Sequence, residues 1–178
     1  MMTQKRPVTS EYAPYYGNYI SQVPDGDFLE TLETQQRDLT RMLEPLNERQ
    51  AEFRYQPEKW SIKETVGHIN DAERIFAYRL LRIGRGDPTP LPGFEQNDYI
   101  QPGNFSARKL SSLLEEFTAI RRATIMLIRS LDELSFHRRG TASGKEITAL
   151  ALAFIIAGHA IHHQRILAER YLPALQAS

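Results

Sequence analysis

The sequence predicts an all-α fold: a four-helix bundle with a long crossover loop between its second and third helices. Four segments space their apolar residues three and four positions apart, which is typical of amphipathic helices. No segment alternates apolar and polar residues convincingly with a period of two, so no strand is expected. The chain has 178 residues, the length of one domain. Four apolar stripes in one domain bury most simply against one another.

The first two predicted helices have recognisable ends. The first runs from about Asp27 to Glu44, and Pro45 stops or kinks it. The second begins at Ser61, which forms a capping box with Glu64, and ends at Gly84. The stripe of the first helix follows a 4-3-4-3-4 spacing: Phe28, Leu32, Gln35, Leu39, Met42 and Leu46.

The third and fourth predicted helices complete the bundle. The fourth starts near Thr148, a favourable N-cap, and runs to about Tyr171, with Pro173 just beyond it. The third covers about Ser106 to Leu134. Its stripe is Leu110, Leu113, Phe117, Ile120, Thr124, Leu127, Leu131 and Leu134.

The segment between the second and third helices is unusual. Residues 84–105 contain four glycines and four prolines in 22 positions, and loops this long are uncommon unless they are functional or disordered. We interpret the segment as a crossover along the bundle that covers one end of it.

The expected organisation is an N-terminal arm over 1–26, the bundle over 27–173 and a tail over 174–178. The arm is rich in tyrosine, and we expect it to pack on the bundle surface or to cover an end: Tyr12, Tyr15, Tyr16 and Tyr19.

Composition excludes several classes of function. Basic and acidic residues balance at 22 each, so the clustered basic excess typical of nucleic-acid or acidic-membrane binding is not expected. The chain has no cysteine, which rules out disulfides, cysteine-ligated metals and a protein thiol nucleophile. The longest apolar stretch is far shorter than the roughly 20 residues of a membrane span. With no apolar run at the N-terminus, we expect a cytoplasmic protein.

Three of the five histidines fall within five positions of the fourth helix. At about 100° per residue, His159 and His163 lie one turn apart within the apolar stripe, whereas His162 falls at its edge. An i, i+4 pair is the spacing by which one helix offers two imidazoles to a metal. Position 160 is alanine rather than the glutamate of the zinc-protease signature, so that class is excluded.

A third imidazole has to come from a facing helix. His68 lies on the inner edge of the second helix, so packing at the usual 8–10 Å lets three imidazoles converge. The pattern alone leaves alternatives open. His68 also fits a hydrogen-bonded core histidine, and the pair on the fourth helix also fits chance or packing. We interpret His162 as partly exposed, and His137 as a cation at a helix C-terminus.

Two blocks of sequence make the chain recognisable. "KWSIKETVGHINDAERIFAYRLLRI" and "GKEITALALAFIIAGHAIHHQRI", with a leucine-rich helix between them, resemble the DinB/YfiT-like superfamily over roughly residues 28–172. The resemblance implies a four-helix bundle with a divalent metal held by three histidines, one from the second helix and two from the fourth. The matching positions are His68, His159 and His163.

The resemblance implies several activities. Family members are similar to thiol-dependent S-transferases, thiol-dependent isomerases or metal-dependent hydrolases. Three neutral imidazoles leave a fourth position for water or substrate, and zinc suits such a site best, although nickel and ferrous iron also accept imidazole. We therefore expect an enzyme that activates water or a low-molecular-weight thiol cosubstrate for reaction with a small-molecule substrate. The alternative is a non-catalytic bundle that binds a ligand or partner, with a structural or regulatory metal. A homodimer is expected on base rates.

Supporting residues are less well specified. Asp71, one turn after His68, is predicted either to orient an imidazole or to pair with Arg74 or Lys63. Arg79 projects along the inner edge of the second helix, where its guanidinium could meet an anionic substrate or reach solvent. Glu64 is explained by its cap. Glu95 and Asp98 become candidates only if the crossover loop folds over the metal.

Overall fold

The computed structural model describes residues 5–176 and confirms the predicted all-α bundle. The first four residues of the predicted arm and the last two of the predicted tail lie outside the described range. Four long helices form the bundle: α2 Phe28–Leu43, α4 Ile62–Gly84, α6 Leu110–Arg129 and α8 Ala149–Ile166. Shorter helices join or flank them: α1 Gly17–Ile20, α3 Glu48–Ala51, α5 Asn97–Gly103, α7 Glu133–His137 and α9 Leu172–Gln176. A π-helical turn, Leu167–Tyr171, continues α8 into α9.

Three of the long helices begin where side-chain caps predict. The Asp27 carboxylate accepts a hydrogen bond from the Leu29 amide at 3.0 Å. Ser61 and Glu64 form the expected reciprocal capping box. The Thr148 hydroxyl accepts from the Ala151 amide at 3.1 Å. Each cap satisfies amides that the first helical turn leaves without a partner, so these starting points follow from local chemistry alone.

The third predicted helix is wrong at its C-terminal end. α6 stops at Arg129, and Asp132 caps a separate short helix, α7, by accepting from the Ser135 amide at 2.8 Å. Leu134, placed on the apolar stripe, is 66% exposed. The regular leucine spacing continues across this break, so the apolar pattern does not reveal it. Asp132 is the N-cap of α7, and the chain therefore starts a new helix after α6 has ended.

The expectation that no strand is present is also wrong. β1 Arg139–Ala142 and β2 Lys145–Thr148 form an antiparallel hairpin. Ser143 and Gly144 make its two-residue turn, with φ of 53° and 72°, the positive values that a type I′ turn requires. Strands of four residues are too short to show a period of two.

The crossover loop is built onto this hairpin and onto α4. The Leu91 amide donates to the Thr141 carbonyl at 2.8 Å, and the Ser143 amide donates to the Leu91 carbonyl at 3.0 Å. At its far end the Phe105 ring lies directly on Gly67, where a Cβ would stand 2.3 Å from the ring. Because both ends are anchored, the loop follows the bundle as predicted, and it includes α5.

The N-terminal arm packs against α8. Ile20 and Val23 are buried in the apolar core beside α8 residues. Arg6 donates to the backbone carbonyls of both residues, and its guanidinium lies 5.8 Å from the centre of the Phe154 ring. None of the helices described between residues 5 and 176 combines the length and apolar character needed to cross a bilayer.

A buried polar network joins the four long helices. The Arg121 guanidinium of α6, fully buried, donates from Nε and Nη2 to the two carboxylate oxygens of Glu73 on α4, both at 2.8 Å. Its Nη1 donates to Gln35 Oε1 on α2 at 2.6 Å. Gln35 Nε2 in turn donates to the Ala157 carbonyl of α8 at 3.2 Å. Each of the four long helices therefore contributes at least one group to a single network in the core.

Removing one partner of this network destabilises the fold. We expect Glu73→Gln to lower the free energy of unfolding by about 3–5 kcal/mol, because the Arg121 charge stays buried without its counter-charge. Urea unfolding measures the change.

The matched control is Glu33→Gln, which removes the exposed ion pair with Arg129 and is expected to cost less than about 1 kcal/mol. Equal effects of the two substitutions would show that the buried pair has no special role in the fold.

Candidate metal centre

The structure brings His68, His159 and His163 together between α4 and α8. One ring nitrogen from each lies within 4.8 Å of the others. His68 Nε2 is 2.9 Å from His159 Nε2, and His163 Nε2 is 3.2 Å from His159 Nε2. The three histidines that helical phase selects from the sequence therefore lie side by side in the structure.

The local sequence explains why the rings meet. Residues 149–160 of α8 are all buried, and many of them are alanine. Small side chains let neighbouring elements approach the helix closely. His159 and His163 project one turn apart from this helix toward α4, where His68 is also buried. The Trp60 ring, 4.7 Å from the His68 ring between centres, packs against His68.

Burial keeps the three imidazoles neutral. Desolvation, followed by the charge of His162, lowers the pKa of His68 from 6.5 to about 4. Desolvation also holds the pKa of His159 and of His163 well below the usual value, and the neighbouring histidines add to the effect. At neutral pH the cluster therefore presents unprotonated nitrogens, the form in which histidine binds metals.

Hydrogen bonding alone does not satisfy this arrangement. Each ring nitrogen of a neutral imidazole carries either one proton or one lone pair, so His159 Nε2 can form only one linear hydrogen bond. It faces two other Nε2 atoms at hydrogen-bond distance. A shared cation resolves the conflict, since all three nitrogens then direct lone pairs at one point.

The residues fit a divalent ion in spacing as well as in chemistry. Tetrahedral zinc with Zn–N bonds of about 2.0–2.1 Å places its nitrogen ligands about 3.3 Å apart. Two of the three separations, 2.9 and 3.2 Å, are close to that value, and all three nitrogens lie within 4.8 Å of one another. Three nitrogen donors with no fourth protein ligand among the described residues match the donor set of an open, catalytic type of site.

His68 and His159 open onto a cavity of about 250 Å³, here called the histidine cavity. Its walls are mainly aromatic: Tyr15, Tyr16, Tyr19, Phe76 and Phe94. Glu95, Gln96 and Ser143 supply the remaining polar groups. The cavity is therefore enclosed by the N-terminal arm, the crossover loop and the hairpin turn as well as by two bundle helices.

Gly158 allows the arm to reach the histidines. A Cβ at this position would lie 2.0 Å from the Tyr19 carbonyl oxygen, so only glycine admits the α1 backbone here. The Tyr19 ring then stands edge-on to both His159 and His162, with centres 5.4 Å away in each case. His162 is half-buried against this tyrosine and is not one of the three clustered nitrogens, as its helical phase predicts.

Asp71 and Arg79 occupy other surroundings. Asp71 pairs with Arg74 at 3.7 Å and makes no hydrogen bond to the histidine cluster within residues 5–176. Burial raises its pKa. Arg79 is buried and donates to the Pro92 carbonyl and to the Ser143 hydroxyl, so it holds the crossover loop against the hairpin. The catalytic roles expected of these two residues stay predictions.

The crossover loop brings one of its two candidate acidic residues to the histidine cavity. Glu95 lines the histidine cavity, and the Asn97 amide and side chain donate to its carboxylate at 3.1 Å. Asp98, in the first turn of α5, is not part of that lining. The arm tyrosines and Ser143 are cavity residues that no motif identifies, although the Ser-Gly turn signal at 143–144 indicates the hairpin.

Comparisons with known proteins agree with the fold. The model of the DinB superfamily matches residues 31–167. YfiT from Bacillus subtilis, described as a probable metal-dependent hydrolase with an unusual four-helix bundle topology, superimposes with a TM-score of 0.74 at 16% identity. The match covers 94% of this chain and 92% of YfiT. No curated protein matches the sequence significantly.

The metal-free protein is expected to lose stability as the pH falls below about 6.5. Below this pH, histidines of the unfolded chain bind protons that the buried ones do not. The contribution of His68 to the free energy of unfolding is therefore complete above pH 6.5 and is lost as the pH falls to its folded-state pKa of about 4. The free energy of unfolding then changes by up to about 1.4 kcal/mol per pH unit for each such histidine.

Urea unfolding at a series of pH values measures this pH dependence, with the exposed His137→Gln as control. A His68→Gln variant as pH-dependent as the control would contradict the assignment.

Proposed function

The chain belongs to the DinB superfamily, and we propose that it is a metal-dependent hydrolase whose divalent ion is held by His68, His159 and His163. The observation that carries the proposal is the convergence of three neutral imidazole nitrogens, with His68 and His159 in the wall of one cavity. The donor set favours zinc, and nickel and ferrous iron are the other candidates. The description of YfiT as a metal-dependent hydrolase supports the same class of activity.

The bound ion supplies Lewis acidity and lowers the pKa of water to about 7. The chain's own residues supply position and proton transfer. His68, His159 and His163 fix the location of the reaction, and the aromatic rings of the cavity wall border it. Glu95 is the acidic residue of the cavity lining, and in this proposal its carboxylate accepts the proton of the attacking water and returns it to the alcohol or amine that leaves as the ester or amide bond breaks.

The size of the histidine cavity limits the substrate. A volume of about 250 Å³ is just below the usual range of small-molecule sites, about 300–1,000 Å³. We therefore propose a small substrate with an apolar portion, which contacts the rings, and an ester or amide group placed at the histidines. In this proposal Arg79 positions the crossover loop that carries Glu95, through its hydrogen bonds to Pro92 and Ser143. Asp71 acts only through its ion pair with Arg74.

Thiol S-transfer is the second candidate. Because the chain has no cysteine, any thiolate at the site comes from a low-molecular-weight thiol cosubstrate. A metal with imidazole ligands deprotonates a thiol that binds to it. A non-catalytic bundle with a structural or regulatory metal is the competing class. The expectations of a homodimer, of no nucleic-acid partner and of a cytoplasmic location remain predictions.

Metal analysis tests the site directly. After reconstitution with zinc, nickel or ferrous iron and removal of excess metal, the wild type is expected to retain about one ion per chain. His163→Ala removes one of three ligands and should reduce retention at least tenfold. His162→Ala, one residue away on the same helix, is the matched control and should retain the ion. Metal-free wild type, or equal loss in both variants, would refute the ligand assignment.

Activity separates the remaining candidates. The zinc-loaded protein is incubated with a panel of small esters and amides, and separately with a thiol and an electrophile. Metal-dependent hydrolysis that Glu95→Gln slows without reducing metal content supports the hydrolase. Conjugation without hydrolysis supports the transferase, and neither reaction supports the non-catalytic bundle.

A further inference from the structure

A second cavity lies on the other side of Phe94 from the histidines. It measures about 270 Å³, lies between the outer side of α4 and the crossover loop, and is called here the outer cavity. Phe94 lines both cavities and so forms the wall between them. The lining of the outer cavity contains two arginines and no acidic residue. Its other members include Ile75, Tyr78, Leu91, Gly93 and Tyr99.

Arg79 is the unusual member of this lining. It is 2% exposed, yet no carboxylate pairs with it anywhere in residues 5–176. Only its Nη2 donates hydrogen bonds, to the Pro92 carbonyl at 2.6 Å and to Ser143 Oγ at 3.1 Å. Nε and Nη1 have no hydrogen-bond partner within the described chain. The aromatic rings of Phe76 and Phe94, 5.9 and 5.6 Å from the guanidinium carbon, are its remaining contacts.

The other buried lysine and arginine side chains of residues 5–176 are neutralised. Arg121 pairs with Glu73 through two hydrogen bonds at 2.8 Å. Lys63 pairs with Glu48 and Glu52 at 2.8 and 2.9 Å. A buried charge without a counter-charge is strongly destabilising, which is why such groups are normally paired. Arg79 departs from a rule that the rest of this fold obeys.

We propose that the outer cavity is a binding site for a small amphipathic carboxylate, with Arg79 as its anion-binding residue. The carboxylate accepts a charge-assisted hydrogen bond from Nε or from Nη1, the two guanidinium nitrogens that have no partner within the described chain. The apolar body of the ligand packs against Tyr78, Leu91 and Tyr99. This site does not depend on the metal centre or on hydrolysis.

Burial and charge fix the direction in which the ligand binds. Tyr78 and Tyr99 are 49% and 42% exposed, so they form the rim of the cavity, whereas buried Arg79 lies at its floor. Arg74 is also in the lining, but its guanidinium is already paired with Glu116 at 2.6 Å. The free positive charge is therefore at the floor, and an anionic group enters first.

Benzoate is a suitable probe because it joins a carboxylate to one aromatic ring and is small enough for this volume. Titration of the full-length, metal-free protein is followed by calorimetry and by amide chemical shifts. We expect saturable binding of benzoate, with shifts at Gly93 and Tyr99. Benzamide, which has the same shape without the charge, should bind at least tenfold more weakly. Absence of benzoate binding, equal binding of benzamide, or shifts centred on His159 would overturn the proposal.

Variants assign the binding to Arg79. Arg79→Gln should weaken benzoate binding at least tenfold, whereas Arg74→Gln, the matched control in the same lining, should change it less than threefold. If Arg79→Gln fails to fold, Ile75→Trp decides, because it fills the cavity and leaves the guanidinium in place. Ile75→Trp is then expected to abolish binding in a folded protein. Unchanged affinity in either Arg79→Gln or Ile75→Trp would refute the site.

Discussion

The Arg121 guanidinium imposes the constraint on which the bundle depends. A fully buried positive charge has to be neutralised, and its partners come from the other long helices: Glu73 on α4, Gln35 on α2 and, through Gln35, the Ala157 carbonyl on α8. Glu73 is five residues from His68, and Ala157 is two residues from His159. The network therefore holds α4 and α8 at the relative position in which the imidazoles of the two helices face each other. Hydrogen bonding gives directionality that apolar packing alone lacks.

Local chemistry made much of the fold predictable. Side-chain caps mark the starts of three long helices, and a period of 3.6 residues separates His159 and His163 from His162 without reference to any other part of the chain. The same phase argument places His68 on an inner edge. These features depend on residues within one or two turns of one another. The third helix was predicted too long because its leucine spacing continues past Arg129, beyond the turn that Asp132 caps.

Features that depend on distant residues were not predictable. Gln35 was assigned to the apolar stripe of the first helix, but nothing near it in sequence indicates that it accepts a hydrogen bond from Arg121, 86 positions away. The hairpin strands are too short to show a period. The walls of the histidine cavity come from the arm, the crossover loop and the hairpin turn. These walls meet only in the folded chain. The same holds for Arg79, which has no carboxylate partner among the residues that the structure describes.

Gly158 brings part of the N-terminal arm, the segment around Tyr19, onto the candidate metal centre. It lets the Tyr19 backbone lie directly on the helix that carries two of the clustered histidines, so three cavity tyrosines belong to a segment outside the bundle. The family match begins at residue 31 and therefore includes the histidines but not these tyrosines. Substitutions in the arm can therefore change the pocket above the histidines without altering any residue of the matched range. The choice of substrate can therefore change through the N-terminal arm, which lies outside the residues that the family model matches.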